Sequence, residues 1–447
     1  MKKLLPLFIS AALGSLSTSA LADTLGEVYT QAKDNDPTLL SAAAQRDAAF
    51  EAVTSTRSTL LPQINLSASY DLNRGERESV PMFSSHKQKT DVDTNDMELG
   101  LTFSQEIYKR SSWIALDTAE KRARQADAAY AAVQQSLILR TAQAYFEVLR
   151  AQDNLVFVRA EKAAVARQLE QTKQRFEVGL SAITDVHDAQ AQYDIVLADE
   201  VIAKNKLTNS YESLREITGQ EHSELNALDT KRFSASKTKE AIEALVEDAQ
   251  QKNLTLLSAR ISQDIARDNI SLASSGHLPY LTLDGGYGYQ DTDDQNSSSG
   301  DMNMTKFNVG LNLVVPIYSG GKTTSLTKQA EYEYVAASQD LEKTYRSVVK
   351  DVRAYNNNIS ASIGALRAYE QTVVSARSAL EATEAGFDVG TRTIVDVLDS
   401  TRRLYDANKS LSNARYDYIL SVLQLRQAVG SLNEQDILDI DTGLKAG

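Results

Sequence analysis

The pattern V-G-x-x-x-I-x-D-V occurs twice in this chain. Val178-Gly179-Leu180-Ser181-Ala182-Ile183-Thr184-Asp185-Val186 returns 211 positions later as Val389-Gly390-Thr391-Arg392-Thr393-Ile394-Val395-Asp396-Val397. Other pairs keep nearly the same offset, between 210 and 217: Leu61-Pro62 with Leu278-Pro279, Ile107-Tyr108 with Ile317-Tyr318, and Gly219 with Gly430. A chain written as two copies of one unit is expected to fold as two similar halves, so the repeat is read before domains are drawn. Each copy joins two periodicities, a pair of short alternating runs followed by a very long helical one.

Helix breakers are scarce, with 20 glycines and 6 prolines among 447 residues, about half of ordinary usage. No proline lies between Pro81 and Pro279 or after Pro316. Arg110 to Val178 holds neither Gly nor Pro and is rich in Ala, Gln, Glu, Arg and Leu, which predicts one helix about 100 Å long. Lys322 to Ala385 repeats this with a single interruption at Gly364. Leu116, Ala119, Ala123, Ala126, Tyr130, Val133 and Leu137 step by 3 and 4 in alternation, as do positions from Tyr355 to Leu380 in the second copy. Such a seam with small residues predicts coiled-coil packing. Ile138, Tyr145, Phe146 and Leu149 fall off it, so the helix needs neighbours on two sides, as in a cylinder or bundle. Shorter helices are expected over Asp185 to Ile217 and Ile394 to Val429, and before the alternating runs, around Leu39 to Thr56 and Ile242 to Ala273. Gln220 to Lys239 and the end from Asn433 lose the seam and are expected to be irregular.

Four segments alternate with period 2: Ile64 to Leu72, Met97 to Ile107, Leu281 to Tyr289 and Phe307 to Ile317. Each apolar run is about 11 residues, the length of a tilted strand crossing a bilayer. The polar stretches inside the pairs, Asn73 to Asp96 and Asp291 to Asn303, are expected to be surface loops. A lipid-spanning barrel must close and rarely has fewer than eight strands, so four per chain require oligomerisation. Two chains would give eight strands and three would give twelve; the pattern does not choose.

Residues 1 to 22 read as a secretory signal: Lys2 and Lys3, an apolar stretch from Leu4 to Leu16, then Ala20-Leu21-Ala22. Its removal takes the formal charge from -13 to -15, which argues against a nucleic-acid partner. No cysteine is present, so no disulfide framework and no thiol nucleophile are expected. The four histidines lack ligand spacing, and no metal or cofactor is expected. Ser319-Gly320-Gly321-Lys322-Thr323 resembles the end of a phosphate-binding loop, but Pro316 stands where its first glycine belongs. No enzyme is read from the chain. Asp396 and Asp399, and likewise Asp185 and Asp188, are spaced i, i+3 at a helix start and share one face. Helix-start charge alone would account for them.

These residues together resemble the TolC family of outer-membrane efflux and type I secretion channels. The resemblance rests on Pro316-Ile317-Tyr318-Ser319-Gly320-Gly321, Val389 to Asp399, Arg175-Phe176-Glu177-Val178-Gly179 and Leu432-Asn433-Glu434-Gln435-Asp436. It implies a mixed α and β fold: a homotrimer with a twelve-stranded outer-membrane β-barrel, continuing as a periplasmic α-helical barrel belted by a mixed equatorial domain. The organisation becomes a signal peptide (1–22), a first repeat (23–219; strand pair about 62–107, turn 178–186) and an equatorial connector (220–239). A second repeat (240–430; strand pair about 279–317, turn 389–397) and a C-terminal equatorial segment (431–447) complete it.

In such a duct the turns form the closed periplasmic end. Asp396 and Asp399 match two carboxylate rings at its constriction, where like charges would raise some of their pKa values. Gating contacts fall on Arg392 with Thr184 and on Asp185 with Gln174. The family's tyrosine in this lock is replaced by Phe387, which puts one hydrogen bond in doubt. Implied partners are a periplasmic adaptor (membrane fusion) protein, an inner-membrane RND or ABC pump, and outer-membrane lipid.

Overall fold

The computed structural model describes residues 22–79, 88–238, 240–294 and 302–445. The expected signal segment lies outside them except for Ala22. Helices α1 (Leu25–Asn35) and α2 (Pro37–Ser58) lead into strands β1 (Gln63–Ser79) and β2 (Gln88–Tyr108), then into α3 (Arg110–Glu177) and α4 (Ile183–Thr218). After β3 (Ala227–Leu228), α5 (Ile242–Lys252) and α6 (Leu254–Ser274) precede β4 (Tyr280–Asp294), β5 (Met302–Val314), α7 (Lys322–Asp388) and α8 (Ile394–Val429). Helix α9 (Glu434–Asp441) and β6 (Leu444–Lys445) close the described chain. The long helices run 68 and 67 residues without a break, as the scarcity of Gly and Pro predicts. No described helix is long and apolar enough to cross a membrane.

The chain divides into two compact units, one of Met1–Leu40, Val133–Asn253 and Val348–Gly447, the other of Ser41–Ala132 and Leu254–Ser347. The first holds the deepest core. Leu137, Ile138, Tyr145, Phe146 and Leu149 of α3 are all buried there, so the off-seam residues do find a second set of neighbours. Phe146 packs on Tyr416 of α8 with ring centroids 5.6 Å apart. Tyr145 donates from its hydroxyl to the Asn226 carbonyl at 2.8 Å, which satisfies a polar atom taken into the core.

Three expectations fail in this unit. The helix expected from Ile242 to Ala273 breaks at Asn253, whose extended backbone ends α5 while its side-chain amide donates to the Ala428 carbonyl at 2.8 Å. The end of the chain, expected to be irregular, is helical. Asn433 caps α9 by accepting from the Gln435 N–H, and Asp436 accepts in return from the Asn433 N–H, both at 2.9 Å. Asp441 then holds the start of α1, accepting from the Leu25 and Gly26 N–H groups at 2.9 and 2.8 Å. β6 pairs antiparallel with β3, so part of the expected irregular connector is a small sheet.

The second unit carries a four-stranded antiparallel sheet in the order β1-β2-β4-β5. Its register aligns Leu66, Leu101, Tyr287 and Phe307 in one row across all four strands, and Ser67, Gly100, Gly288 and Lys306 in the next. Successive residues face opposite sides, so the sheet has one apolar face and one polar face. The apolar row is 46% to 78% exposed within the chain. The polar stretch Asn73 to Asp96, expected as a loop, is mostly strand: Asn73 pairs with Thr94, Arg74 with Asp93 and Glu76 with Asp91. Main-chain bonds carry a ladder where apolar alternation has stopped, and cross-strand charge pairs such as Arg74–Asp93 at 2.7 Å accompany it. The second expected loop is likewise shortened, with Asp291 paired to Asn303; residues 80–87 and 295–301 lie outside the described residues.

Candidate functional site

The two repeated motifs are tight helix-to-helix turns in the first unit. Gly179 and Gly390 take left-handed backbones, with φ of 78° and 76°. The Leu180 N–H donates to the Arg175 carbonyl at 2.7 Å and the Thr391 N–H to the Gly386 carbonyl at 2.8 Å, closing the carbonyls left open at the ends of α3 and α7. Valine and isoleucine in the motifs set the depth of each turn: Ile394 and Val397 are buried, while Val178, Val389 and Ile183 are exposed. Beneath the turns Val165, Leu169, Ala189, Val196, Phe387, Ile394, Val397 and Leu398 form one core drawn from α3, α4, α7 and α8.

Each candidate carboxylate already has a partner inside the chain. Asp396 is the third residue of α8, and one oxygen accepts from both the backbone N–H and the hydroxyl of Thr393 at 2.9 Å. Within the single chain these bonds, aided by Arg392, hold its carboxyl below the ordinary range. Asp399 is paired with Arg402 at 2.9 Å and Arg403 at 2.6 Å on its own helix. Asp185 accepts from the Ala182 N–H at 3.1 Å, capping α4 from one side because alanine offers no oxygen in return. Gln174 donates to Glu170 at 3.2 Å. Arg392 lies against Gly386, where an added Cβ would meet its side chain at 2.7 Å. Among the described residues no hydrogen bond joins Arg392 to Thr184 or Asp185 to Gln174.

A different set of contacts ties α3 to α7. The Arg175 guanidinium stands 4.5 Å from the Phe387 ring centroid and 3.8 Å from Asp388, and Gln171 donates to Asp388 at 3.4 Å. Phe387 therefore contributes a buried, cation-facing ring where the resemblance suggests a hydroxyl. The signal was present in sequence, since Phe176-Glu177 and Phe387-Asp388 occupy the same place before each Val-Gly.

Farther along the same bundle, a cavity of about 300 Å³ opens between α3, α4 and α8, with Glu161, Asp199 and Asp406 on its walls. Burial first, then Asp406 and Asp199, push the Glu161 carboxyl up to about 7, against the pull of Arg402 and Lys409. Below about pH 4.5 Glu161 is protonated whether the chain is folded or not. As pH rises toward 7 only the unfolded chain ionises, so stability is lost across that window. Glu161→Gln is expected to raise the thermal unfolding midpoint at pH 8 and leave it unchanged at pH 4, a gain of about 2 kcal/mol per chain. Equal midpoint shifts at both pH values would show that Glu161 is not held neutral.

The outer membrane efflux protein family matches residues 28–220 and 245–431. Outer membrane protein TolC of Vibrio cholerae serotype O1 is 73% identical over 447 residues, covering 100% of this chain and 99% of that protein. Alkaline protease secretion protein AprF of Pseudomonas aeruginosa is 29% identical over 98% of this chain and 90% of its own length. The solved Campylobacter jejuni CmeC outer membrane channel shares the fold at a TM-score of 0.77 and 17% identity, covering 100% of this chain and 98% of that one. Matched along nearly its whole length, the chain belongs to the outer membrane efflux protein family, a channel of the outer membrane that extends into the periplasm and not an enzyme.

Proposed function

We propose that three copies of this chain close into one exit duct, a twelve-stranded β-barrel in the outer membrane continued by a helical barrel in the periplasm. The observation that carries this reading is the four-stranded sheet, whose uncovered apolar row of Leu66, Leu101, Tyr287 and Phe307 suits contact with lipid. Both edges, β1 and β5, lack partners within the described chain, and closure by neighbouring copies removes them. The matching element order of the two halves supports the reading of an internal repeat. Three chains would place Asp396 and Asp399 as two carboxylate rings at the constriction of the turn end. Arg392 with Thr184, and Asp185 with Gln174, would then lock that end across neighbouring helices.

The duct is passive: an inner-membrane RND or ABC pump, joined through a periplasmic adaptor, supplies the energy and opens the turn end. Its traffic is multidrug efflux and type I protein secretion; the similarity to a protease secretion protein supports the second. Deleting the gene is expected to sensitise cells at least tenfold to bile salts, detergents and dyes, the scale set by losing an active exit step rather than a passive leak. Restoration by the intact gene on a plasmid supports the duct; unchanged tolerance across the panel would contradict it.

A further inference from the structure

The segment Ser319-Gly320-Gly321-Lys322-Thr323, which no part of the duct mechanism uses, lies at the junction of strand and helix in the second unit. There a cavity of about 490 Å³ is bounded by the starts of α3 and α7 and by the turn before β4. Lys109, Arg110 and Lys322 line it, and no acidic residue does. Lys109 is already engaged by Glu106 at 2.5 Å, and that carboxylate also accepts from Ser112 at 2.6 Å. Among the described residues Arg110 and Lys322 have no acidic partner within 4.0 Å, and both are exposed.

The charge is placed against the usual rule. Acid in the first turn complements the helix dipole, and α1, α4, α5, α8 and α9 follow it. Helices α2, α3, α6 and α7 have no acid in the first turn, and of these α3 and α7 begin on a cation, Arg110 and Lys322. Two unneutralised cations where cations are disfavoured leave the cavity short of an anion. Its remaining walls are mostly apolar, including Leu272, Leu278, Pro316 and Leu326, with Ser111, Ser275 and Thr323 among them. Around the junction Trp113 is 52% exposed and Tyr318 88% exposed, the aromatic placement of a membrane–water boundary.

We infer that this junction binds an anionic phospholipid of the periplasmic leaflet, its phosphate held between Arg110 and Lys322 and its first acyl carbons on the apolar wall. The occupant follows from the pairing of charge and grease: a soluble phosphate would use the cations and leave the wall unused, whereas a lipid uses both. The inference rests on the reading that the sheet crosses the outer membrane, since only then does the end of the strands meet the leaflet surface.

The test uses the full trimer purified in mild detergent, incubated with phosphatidylglycerol or with phosphatidylethanolamine and weighed by native mass spectrometry. Up to one phosphatidylglycerol per chain should be retained, and Arg110→Gln with Lys322→Gln should reduce that retention roughly tenfold or more, the scale of two basic contacts at an anionic surface. Arg346→Gln with Lys350→Gln, on an exposed face of α7, should change nothing. If the double variant fails to assemble, Lys322→Gln alone should still lower retention by several-fold. Equal retention of both lipids, no loss in the variants, or displacement by equimolar inorganic phosphate would overturn the proposal. Flotation with phosphatidylcholine vesicles separates the two readings: protein that inserts but keeps no phosphatidylglycerol refutes the site alone, and protein that does not insert refutes the membrane-spanning sheet.

Discussion

Replacing Asp396 and Asp399 together with alanine is expected to raise the multivalent-cation concentration that half-blocks the reconstituted channel from its periplasmic side by roughly a hundredfold, the order expected when clustered carboxylates are removed. The two single changes should be unequal. Asp399 is shared with Arg402 and Arg403, whereas the near partners of Asp396 are mostly hydrogen-bond donors of its own cap, with a smaller pull from Arg392. Asp396→Ala should therefore relieve more of the block than Asp399→Ala. The same cap holds the Asp396 carboxyl low, so block by the parent should persist into mildly acidic solution. Planar-bilayer recordings decide the matter, and a double variant blocked as well as the parent would return both residues to the simple role of helix-start charges.

The second large effect is on stability. Asp36 is 2% exposed, meets Arg140 through both oxygens at 2.7 and 3.2 Å, and caps α2 by accepting from the Leu39 N–H at 2.9 Å. Asp36→Ala strands the guanidinium and opens the cap, and should cost about 3 kcal/mol in denaturant unfolding, at the low end for a broken buried pair because Arg140 retains some access to water. Asp36→Asn keeps an acceptor for Leu39 and should cost less. Equal losses in the two variants would mean that the charge contributes nothing.

The long helices and the apolar halves of the strands were legible because both leave a count in the sequence, breakers absent over α3 and α7 and alternation over Ile64 to Leu72. The polar halves of the strands left none. Main-chain ladder bonds beyond Leu72 depend on the partner strand and not on which side chains the segment carries. The break at Asn253 was readable in retrospect, since Asp36-Pro37-Thr38-Leu39 and Asn253-Leu254-Thr255-Leu256 occupy matching places. So was α9, where Asn433 and Asp436 have capping-box spacing. The candidate site divides in the same way. The shared face of Asp396 and Asp399 follows from spacing alone, while the grip of Arg175 on Phe387 and Asp388 joins residues more than 200 positions apart and becomes visible only when α3 and α7 lie side by side.

Closure by three copies is the claim on which the duct depends, and the mass of the assembly tests it most directly. Light scattering of detergent-extracted protein, corrected for bound detergent, should give three times the chain mass, because four strands per chain leave two open edges to be closed by other copies and the family resemblance sets that closure at three chains and twelve strands. A monomer or a dimer would contradict the account.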